Sequence, residues 1–183
     1  QLTRLSYQLQ GNRPISPEIV HVDLDDKDLR TIEYTENDPR LYAELIRILG
    51  LAGVKSVLVD ILFPVCKEKN CTSFSTEVEI AGNIHFPVIL SPDSTDKENV
   101  SVFPSLPESA FWRINSSKPW NGVARGQVLI SNFSALNTAS SGLGHINSFP
   151  DVDGVYRRIP LLINTADGII PSLALRTACH YLD

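Results

Sequence analysis

The 183-residue sequence lacks a long hydrophobic run and is poor in basic residues, and both deficits exclude classes of protein. Its longest apolar stretch, residues 57–65, contains Asp60 and is far shorter than the roughly 20 apolar residues of a membrane-spanning helix. Sixteen Lys and Arg against 21 Asp and Glu give a net charge of −5. We therefore expect no nucleic-acid partner, because duplex-binding domains concentrate positive charge on one face.

Short motifs of common enzyme classes are also missing. The sequence has no Gly-x-Ser-x-Gly elbow, no P-loop and no dinucleotide fingerprint. It begins at Gln1 without an initiator methionine or a signal peptide, so we expect a piece of a longer protein. A chain of this length can bury about two thirds of its unfolded surface, which is enough for one soluble domain with its own core.

Negative charge is concentrated between Asp23 and Arg40. Seven carboxylates against three basic residues in this segment leave four of the five excess negative charges there. A solvated acidic loop is the usual meaning of such a run. This run, however, directly follows a predicted strand over residues 19–24.

A strand, a helix and a second strand are predicted in succession. Pro39 opens the helix, which Gly50 and Gly53 end. The apolar stripe of the helix consists of Leu41, Leu45, Ile48 and Leu49. Residues 54–63 then form a nearly continuous apolar run, which is typical of a strand covered on both faces. This order predicts a right-handed crossover and a parallel strand pair.

The carboxyl ends of these two strands form the predicted site, because ligands of open α/β sheets bind at that edge. Asp60 interrupts the second strand, so we expect it to be shielded from water and paired with a charged or hydrogen-bonding group. The candidate partners are Arg157, Arg158, His145 and Lys27. The candidate ligand-binding residues are Asp23, Asp25, Asp26, Lys27, Asp60, His145, Arg157 and Arg158. A polar network that holds the sheet edge is the alternative role for them. For His145, a hydrogen-bonded core imidazole is favoured over a metal ligand or a pH-sensitive group.

The second half of the chain predicts shorter elements. They are helices over residues 74–81 and 133–141, strands over 84–90 and 128–130, and a last helix from Pro171. Residues 144–149 and 155–163 are predicted to form a hairpin, because Pro-Asp-Val-Asp-Gly between them is typical of a turn. Residues 91–124 are predicted as a long surface excursion. The fold class is thus a single α/β domain with a mixed sheet, largely parallel in its N-terminal part, flanked by helices, with a C-terminal hairpin and helix.

Two of the three cysteines, Cys66 and Cys71, lie close together in the polar insert CKEKNC. A disulfide is favoured over two free thiols, and a zinc site is disfavoured because only two ligands are local. Cys179 is predicted to be a small buried apolar residue on the last helix.

The Asp-Leu-Asp-Asp sequence at residues 23–26 leaves open a magnesium-dependent phosphatase-like hydrolase. Asp23 would be the nucleophile and Asp25 the acid/base, with Asp151 or Asp153 completing the magnesium ligands. Neither a Gly-rich or Ser/Thr turn after the second strand nor a suitably placed Lys supports this alternative.

Six segments in this order resemble one family, the CHASE domain of the second type, a cyclase- and histidine-kinase-associated sensory extracellular domain. The segments are residues 19–29, 39–40, 53–63, 142–147, 150–161 and 171–175. The most specific of them is the Asp-x-Asp-Gly-x-x-Arg-Arg-x-Pro block within 150–161. Glu36-Asn-Asp-Pro39 departs from the Trp-Pro-Trp-Pro-like run that is usual there.

The resemblance implies a ligand-sensing domain, not an enzyme, on the periplasmic or extracellular side of the inner membrane of a bacterial receptor. Its expected partners are an unknown small-molecule or ion signal, the receptor's own membrane helices, a cytoplasmic cyclase or kinase output domain, and a second copy in a homodimer. No cofactor is expected. Residues 1–18 would be a juxtamembrane helical stub and linker, and residues 19–183 the sensory domain, shortened relative to the family at its C-terminal end.

Overall fold

The computed structural model describes residues 16–23, 25, 27–28, 38–66, 70–92, 105–114 and 123–183. The chain forms two compact units, Gln1–Glu36 and Asn37–Asp183. The described residues of the first unit contain a turn at 17–18 and a helical turn at 27–28, but no strand. The strand predicted over 19–24 is therefore wrong at residues 19–23, whose apolar side chains are exposed, and Leu24 lies outside the described residues. Apolar residues give this segment a β propensity but do not supply a pairing strand.

The second unit is an α/β domain. Its helices are α1 (Pro39–Leu51), α2 (Asn70–Ala81), α3 (Ser134–Ala139) and α4 (Leu173–Leu182), with a 3-10 helix at Glu108–Ala110. Its strands are β1 (Val57–Leu58), β2 (Ile84–Pro92), β3 (Ala124–Ile130), β4 (Gly142–His145), β5 (Leu162–Asn164) and β6 (Ile169–Pro171). The predicted boundary after residue 18 stays a prediction.

Strand β2 is the centre of the sheet. Strands β1 and β4 pair parallel to its first half, and β3 pairs antiparallel to its second half. Strand β5 runs parallel to β3, and β5 and β6 form an antiparallel hairpin. The order is β1-β2-β3-β5-β6 with β4 also on β2. The predicted mixed α/β fold with a C-terminal hairpin and helix is confirmed.

The location of the predicted hairpin is wrong. Residues 150–154 do turn, since the Asp151 N–H donates to the Val155 carbonyl at 3.0 Å and Gly154 has φ 77°. The flanking residues do not pair with each other, however, because the short, fully buried β4 pairs with β2 instead. The hairpin lies further along the chain, where β5 and β6 pair.

Helix α1 begins where predicted. The Asp38 side chain caps it by accepting from the Arg40 N–H at 2.9 Å, and Pro39 is the first helical residue. Its buried face consists of Leu41, Tyr42, Ala43 and Ile46. The predicted stripe is confirmed at Leu41 and is wrong at Ile48, which is exposed, whereas Tyr42, which the prediction left out, is buried.

Aromatic packing forms the core on one face of the sheet. The Phe63 ring lies 4.9 Å from Tyr42 and 5.2 Å from Phe74, and the Phe74 and Phe86 centroids are 6.0 Å apart. The steep angles between these rings are the edge-to-face arrangement that aromatic pairs favour. This cluster joins α1, α2 and β2 to the segment after β1.

Two buried asparagines, Asn132 and Asn137, link segments that are distant in sequence. The Asn132 side chain accepts from the Phe63 N–H at 2.9 Å and donates to the Pro87 carbonyl at 3.1 Å. Asn137 in turn donates to the Asn132 carbonyl at 2.9 Å. These bonds satisfy backbone groups that the sheet ladder leaves unpaired, which a buried site requires.

Helix α4 lies directly on β4. A Cβ atom on Gly144 would lie 2.6 Å from the Leu173 backbone nitrogen, and one on Gly142 would collide with the Arg176 guanidinium. Ser172 caps the helix by accepting from the Leu175 N–H at 3.3 Å. Neither glycine has a positive φ. Gly144 is therefore required by the close approach of the helix backbone, whereas the space beside Gly142 is filled by an arginine side chain that can move.

Replacement of Gly144 by Ala is expected to destabilise the domain by about 1–3 kcal/mol, because the added methyl collides with backbone that cannot rotate away. Urea denaturation measures the loss. Gly50→Ala is the matched control: nothing lies within 4 Å of the position that its added methyl would take, and Ala in helix α1 should stabilise by up to about 1 kcal/mol. Equal stability of Gly144→Ala and wild type would contradict the close contact.

Candidate functional site

Arg157 is held by two aspartates in residues 150–158, which we call the Asp–Arg loop. Its guanidinium donates to both carboxylate oxygens of Asp153 at 2.8 Å and to the Asp151 Oδ2 at 3.0 Å. The Arg157 hydrogen bond and the Val155 N–H lower the pKa of Asp153 to about 2, and the two carboxylates raise the pKa of Arg157. Bidentate pairs of this kind fix geometry as well as charge. Arg157 therefore cross-links the loop internally, an arrangement that we call the brace.

Arg158, the next residue, points to solvent. Its side chain is 80% exposed, and its nearest carboxylate oxygen, on Asp151, is 3.8 Å away. An open depression of about 670 Å³ lies against the loop. It is lined by Pro150, Asp151, Val152, Asp153, Arg157 and Arg158. The structure thus brings two of the predicted ligand-binding residues together, with the two aspartates that the magnesium alternative had named.

The acidic residues of the first unit have a local role. The Asp25 Oδ1 accepts from the N–H groups of Lys27 and Asp28, both at 2.8 Å, and the Asp25 N–H donates to the Asp28 side chain. This is the reciprocal capping of a helical turn. Asp23 is exposed, and Asp26 lies outside the described residues. Their role as ligand-binding residues stays a prediction.

Asp60 is exposed, so the prediction that it is shielded from water is wrong. The predicted strand over 54–63 narrows to Val57–Leu58, a strand whose Leu58 is itself exposed. An uncovered strand does not require a partner for its carboxylate. Arg157, one of the expected partners of Asp60, is paired with Asp151 and Asp153 instead.

Two histidines are buried in the sheet. His145 and His85 are each 1% exposed, and within the described part of the chain none of their ring nitrogens has a hydrogen-bond partner. Burial lowers the pKa of each to about 4, with His180 and Arg176 adding to the effect at His85. The expected burial of His145 is confirmed, but the expected hydrogen bond is not formed. Sequence reasoning missed His85, although a histidine inside an apolar strand was the available signal.

A family model described as the CHASE2 domain matches residues 1–183, the whole chain. The chain belongs to the CHASE2 family. CHASE2 domains are extracellular sensory domains of signalling receptors and are not catalytic. The family therefore gives no support to the hydrolase alternative on Asp23 and Asp25. Comparisons with curated proteins and with solved structures gave no significant match.

The disulfide predicted in this CHASE2 domain is present. Cys66 and Cys71, with Cα atoms 6.1 Å apart, tie the segment after β1 to the first turn of α2. Cys179 is a free cysteine on α4 and is half-buried, more accessible than predicted.

The described residues of the CHASE2 domain contain neither a membrane span nor a metal cluster. None of their helices combines the length and apolar character needed to cross a bilayer. Within the same ranges, no three His, Cys, Asp or Glu side chains are grouped so as to hold one metal ion.

Proposed function

We propose that this CHASE2 domain is the extracytoplasmic ligand-sensing domain of a bacterial transmembrane receptor, and that the Asp–Arg loop is its ligand contact. The observation that carries the proposal is the contrast between two adjacent arginines. Arg157 is fully engaged by Asp151 and Asp153, whereas Arg158 is exposed beside the depression.

This contrast favours a ligand with an anionic group. The brace at Arg157 holds the loop in one conformation, so little ordering is required when a ligand binds. Arg158 then offers a guanidinium fork, which suits a carboxylate or phosphate. The apolar Pro150 and Val152 beside it would contact the rest of a small ligand.

The Cys66–Cys71 disulfide supports the extracytoplasmic location, because disulfides persist in oxidising compartments and are rare in the cytosol. A ligand would transmit its signal by binding one arrangement of the receptor's membrane helices more tightly than another, since only differential affinity shifts such an equilibrium. A nucleotide cyclase, histidine kinase, Ser/Thr kinase or diguanylate cyclase would be the output, with a second receptor copy as partner.

Cysteine labelling in intact cells tests location and binding together. The full-length receptor would carry Val152→Cys in a Cys179→Ser background, so that the only free thiol within residues 1–183 lies at the depression, where Val152 is fully exposed. A membrane-impermeant maleimide should label it from outside the cell. A panel of small carboxylates and phosphate esters should contain at least one compound that slows labelling about tenfold or more, as expected when the ligand concentration exceeds Kd about tenfold.

The matched control is Ile80→Cys in the same background, an exposed apolar residue on α2 that does not line the depression. It should be labelled from outside and should not be protected. Labelling of Val152→Cys only after cell lysis would contradict the extracytoplasmic location. Equal slowing at both positions, or at neither, would contradict the ligand contact.

A further inference from the structure

Helix α4 is packed on the sheet through two histidines. The rings of His85, on β2, and His180, on α4, have centroids 4.8 Å apart at an interplanar angle of 76°. His85 is buried, and both of its ring nitrogens lack a partner within the described residues. An imidazole in this position can stay buried only while it is neutral, because a buried charge without a partner is costly.

The titratable and charged residues on or next to the elements that pack together here are mostly cationic or neutral. On α4 these residues are Arg176, Cys179, His180 and Tyr181. Lys55, in the segment before β1, lies 4.9 Å over the Tyr181 ring. Glu108, on the 3-10 helix, pairs with Arg113. Strand β4 offers only Gly142 opposite His85. Besides Glu108, the nearest carboxylates are Asp60, which follows β1, and Asp183, which follows α4; both are exposed.

Arg176 adds to the positive charge that acts on His85. Its side chain donates to the Ser109 carbonyl and lies 5.7 Å from the Trp112 ring, so its described contacts contain no carboxylate. Electrostatic interactions with Arg176 and His180 both act against a proton on His85. While α4 is packed on the sheet, which we call its closed position, a proton on the His85 ring is therefore disfavoured.

We propose that the His85–His180 contact is a proton-sensing site, at which acid loosens α4 from the sheet. When α4 moves away, water reaches His85 and a proton can bind to its ring. Protons then stabilise the open position by mass action, as does any ligand that binds one state better. This inference needs no ligand at the Asp–Arg loop and stands or falls separately from the proposed function.

The expected size follows from linkage. The pKa of His85 is about 4 in the closed position, where burial and the neighbouring charges lower it, against an ordinary 6.5 when hydrated. The open-to-closed ratio should therefore rise about 30-fold between about pH 7.5 and about pH 5.

Cys179 lies on α4 next to His180 and is a natural reporter of this opening. The reagent would be 4,4′-dithiodipyridine, which reacts with thiols at acidic pH. The reaction rate of Cys179 would be divided by the rate for the urea-unfolded chain at the same pH, which removes the pH dependence of the reagent. In the wild-type chain this ratio should rise about 30-fold over the same pH interval. In His85→Phe, which keeps a ring against His180 but cannot titrate, it should change less than about threefold.

His145→Phe is the matched control. His145 is equally buried but lies on the opposite face of the sheet, because it pairs with Val88 whereas His85 pairs with Gly142. The rise should persist in this variant. A wild-type ratio that does not change with pH, or a rise that disappears in His145→Phe but persists in His85→Phe, would overturn the proposal.

A second variant guards against misfolding of His85→Phe. His85→Gln places a polar side chain that cannot titrate in this pH range at the same position, and its ratio should also stay within about threefold. A rise of wild-type size in a folded His85→Gln would equally overturn the proposal.

Discussion

Acidification from about pH 7.5 to about pH 4 is expected to lower the free energy of unfolding by about 3 kcal/mol for each of two histidines. Burial holds the pKa of both His85 and His145 at about 4 in the folded chain, against 6.5 when exposed. The unfolded chain therefore binds two more protons within this window. The stability is fully present above about pH 6.5 and is lost as the pH falls towards about 4.

Urea denaturation at a series of pH values measures this effect. His85→Phe and His145→Phe should each remove about half of the slope. The Asp153 carboxyl has its pKa lowered to about 2 by Arg157, so its contribution is lost only below its ordinary 3.8. A stability that stays constant between about pH 7 and about pH 5 would contradict the prediction.

Phe74→Ala is expected to destabilise the domain by about 4 kcal/mol. The Phe74 side chain is 0% exposed and lies against the rings of Tyr42, Phe63 and Phe86, so its removal leaves a cavity that three rigid neighbours cannot fill. Chemical denaturation at neutral pH measures the change.

Phe149→Ala is the control for this substitution, because it removes the same group from a partly exposed position. It should cost less than about 1 kcal/mol. Similar losses of stability for the two variants would show that the aromatic cluster contributes no more than a partly exposed phenylalanine does.

The start of helix α1 could be predicted because its signals are local. Pro39 acts through its own fixed φ, and the Asp38 side chain accepts from the nearby Arg40 N–H, so the helix begins where the sequence indicates. The buried face depends instead on what the helix packs against. Tyr42 turns inward because Phe63 and Phe74, distant in sequence, form a pocket for its ring.

Strand pairing was the least predictable part of the fold. The Pro-Asp-Val-Asp-Gly turn forms as its residues dictate, but a turn determines only its own hydrogen bonds. Residues 142–145 pair with β2 instead, and α4 approaches them closely at Gly144; both arrangements depend on segments distant in sequence. Residues 19–23 show the converse: an apolar pattern without a pairing strand.

The candidate site was predictable where its residues are close in sequence. Asp151, Asp153 and Arg157 lie within one short block, and their pairing needs only the turn at Gly154. Asp60 was misjudged because burial depends on which strands cover it. Asn132 gave no signal at all, since its partners Phe63 and Pro87 come from distant parts of the chain.

The contact between Gly144 and α4 also has a mechanical consequence. Most helices rest on a sheet through side chains, which can rotate and absorb a small displacement. At Gly144 the backbone of β4 meets the backbone of α4 with nothing compliant between them. A displacement of α4 by a fraction of an ångström must therefore either open a gap or move β4, and with it the central strand to which β4 is hydrogen-bonded. The contact is a stiff joint, and strain applied to the last helix reaches the middle of the sheet without being damped.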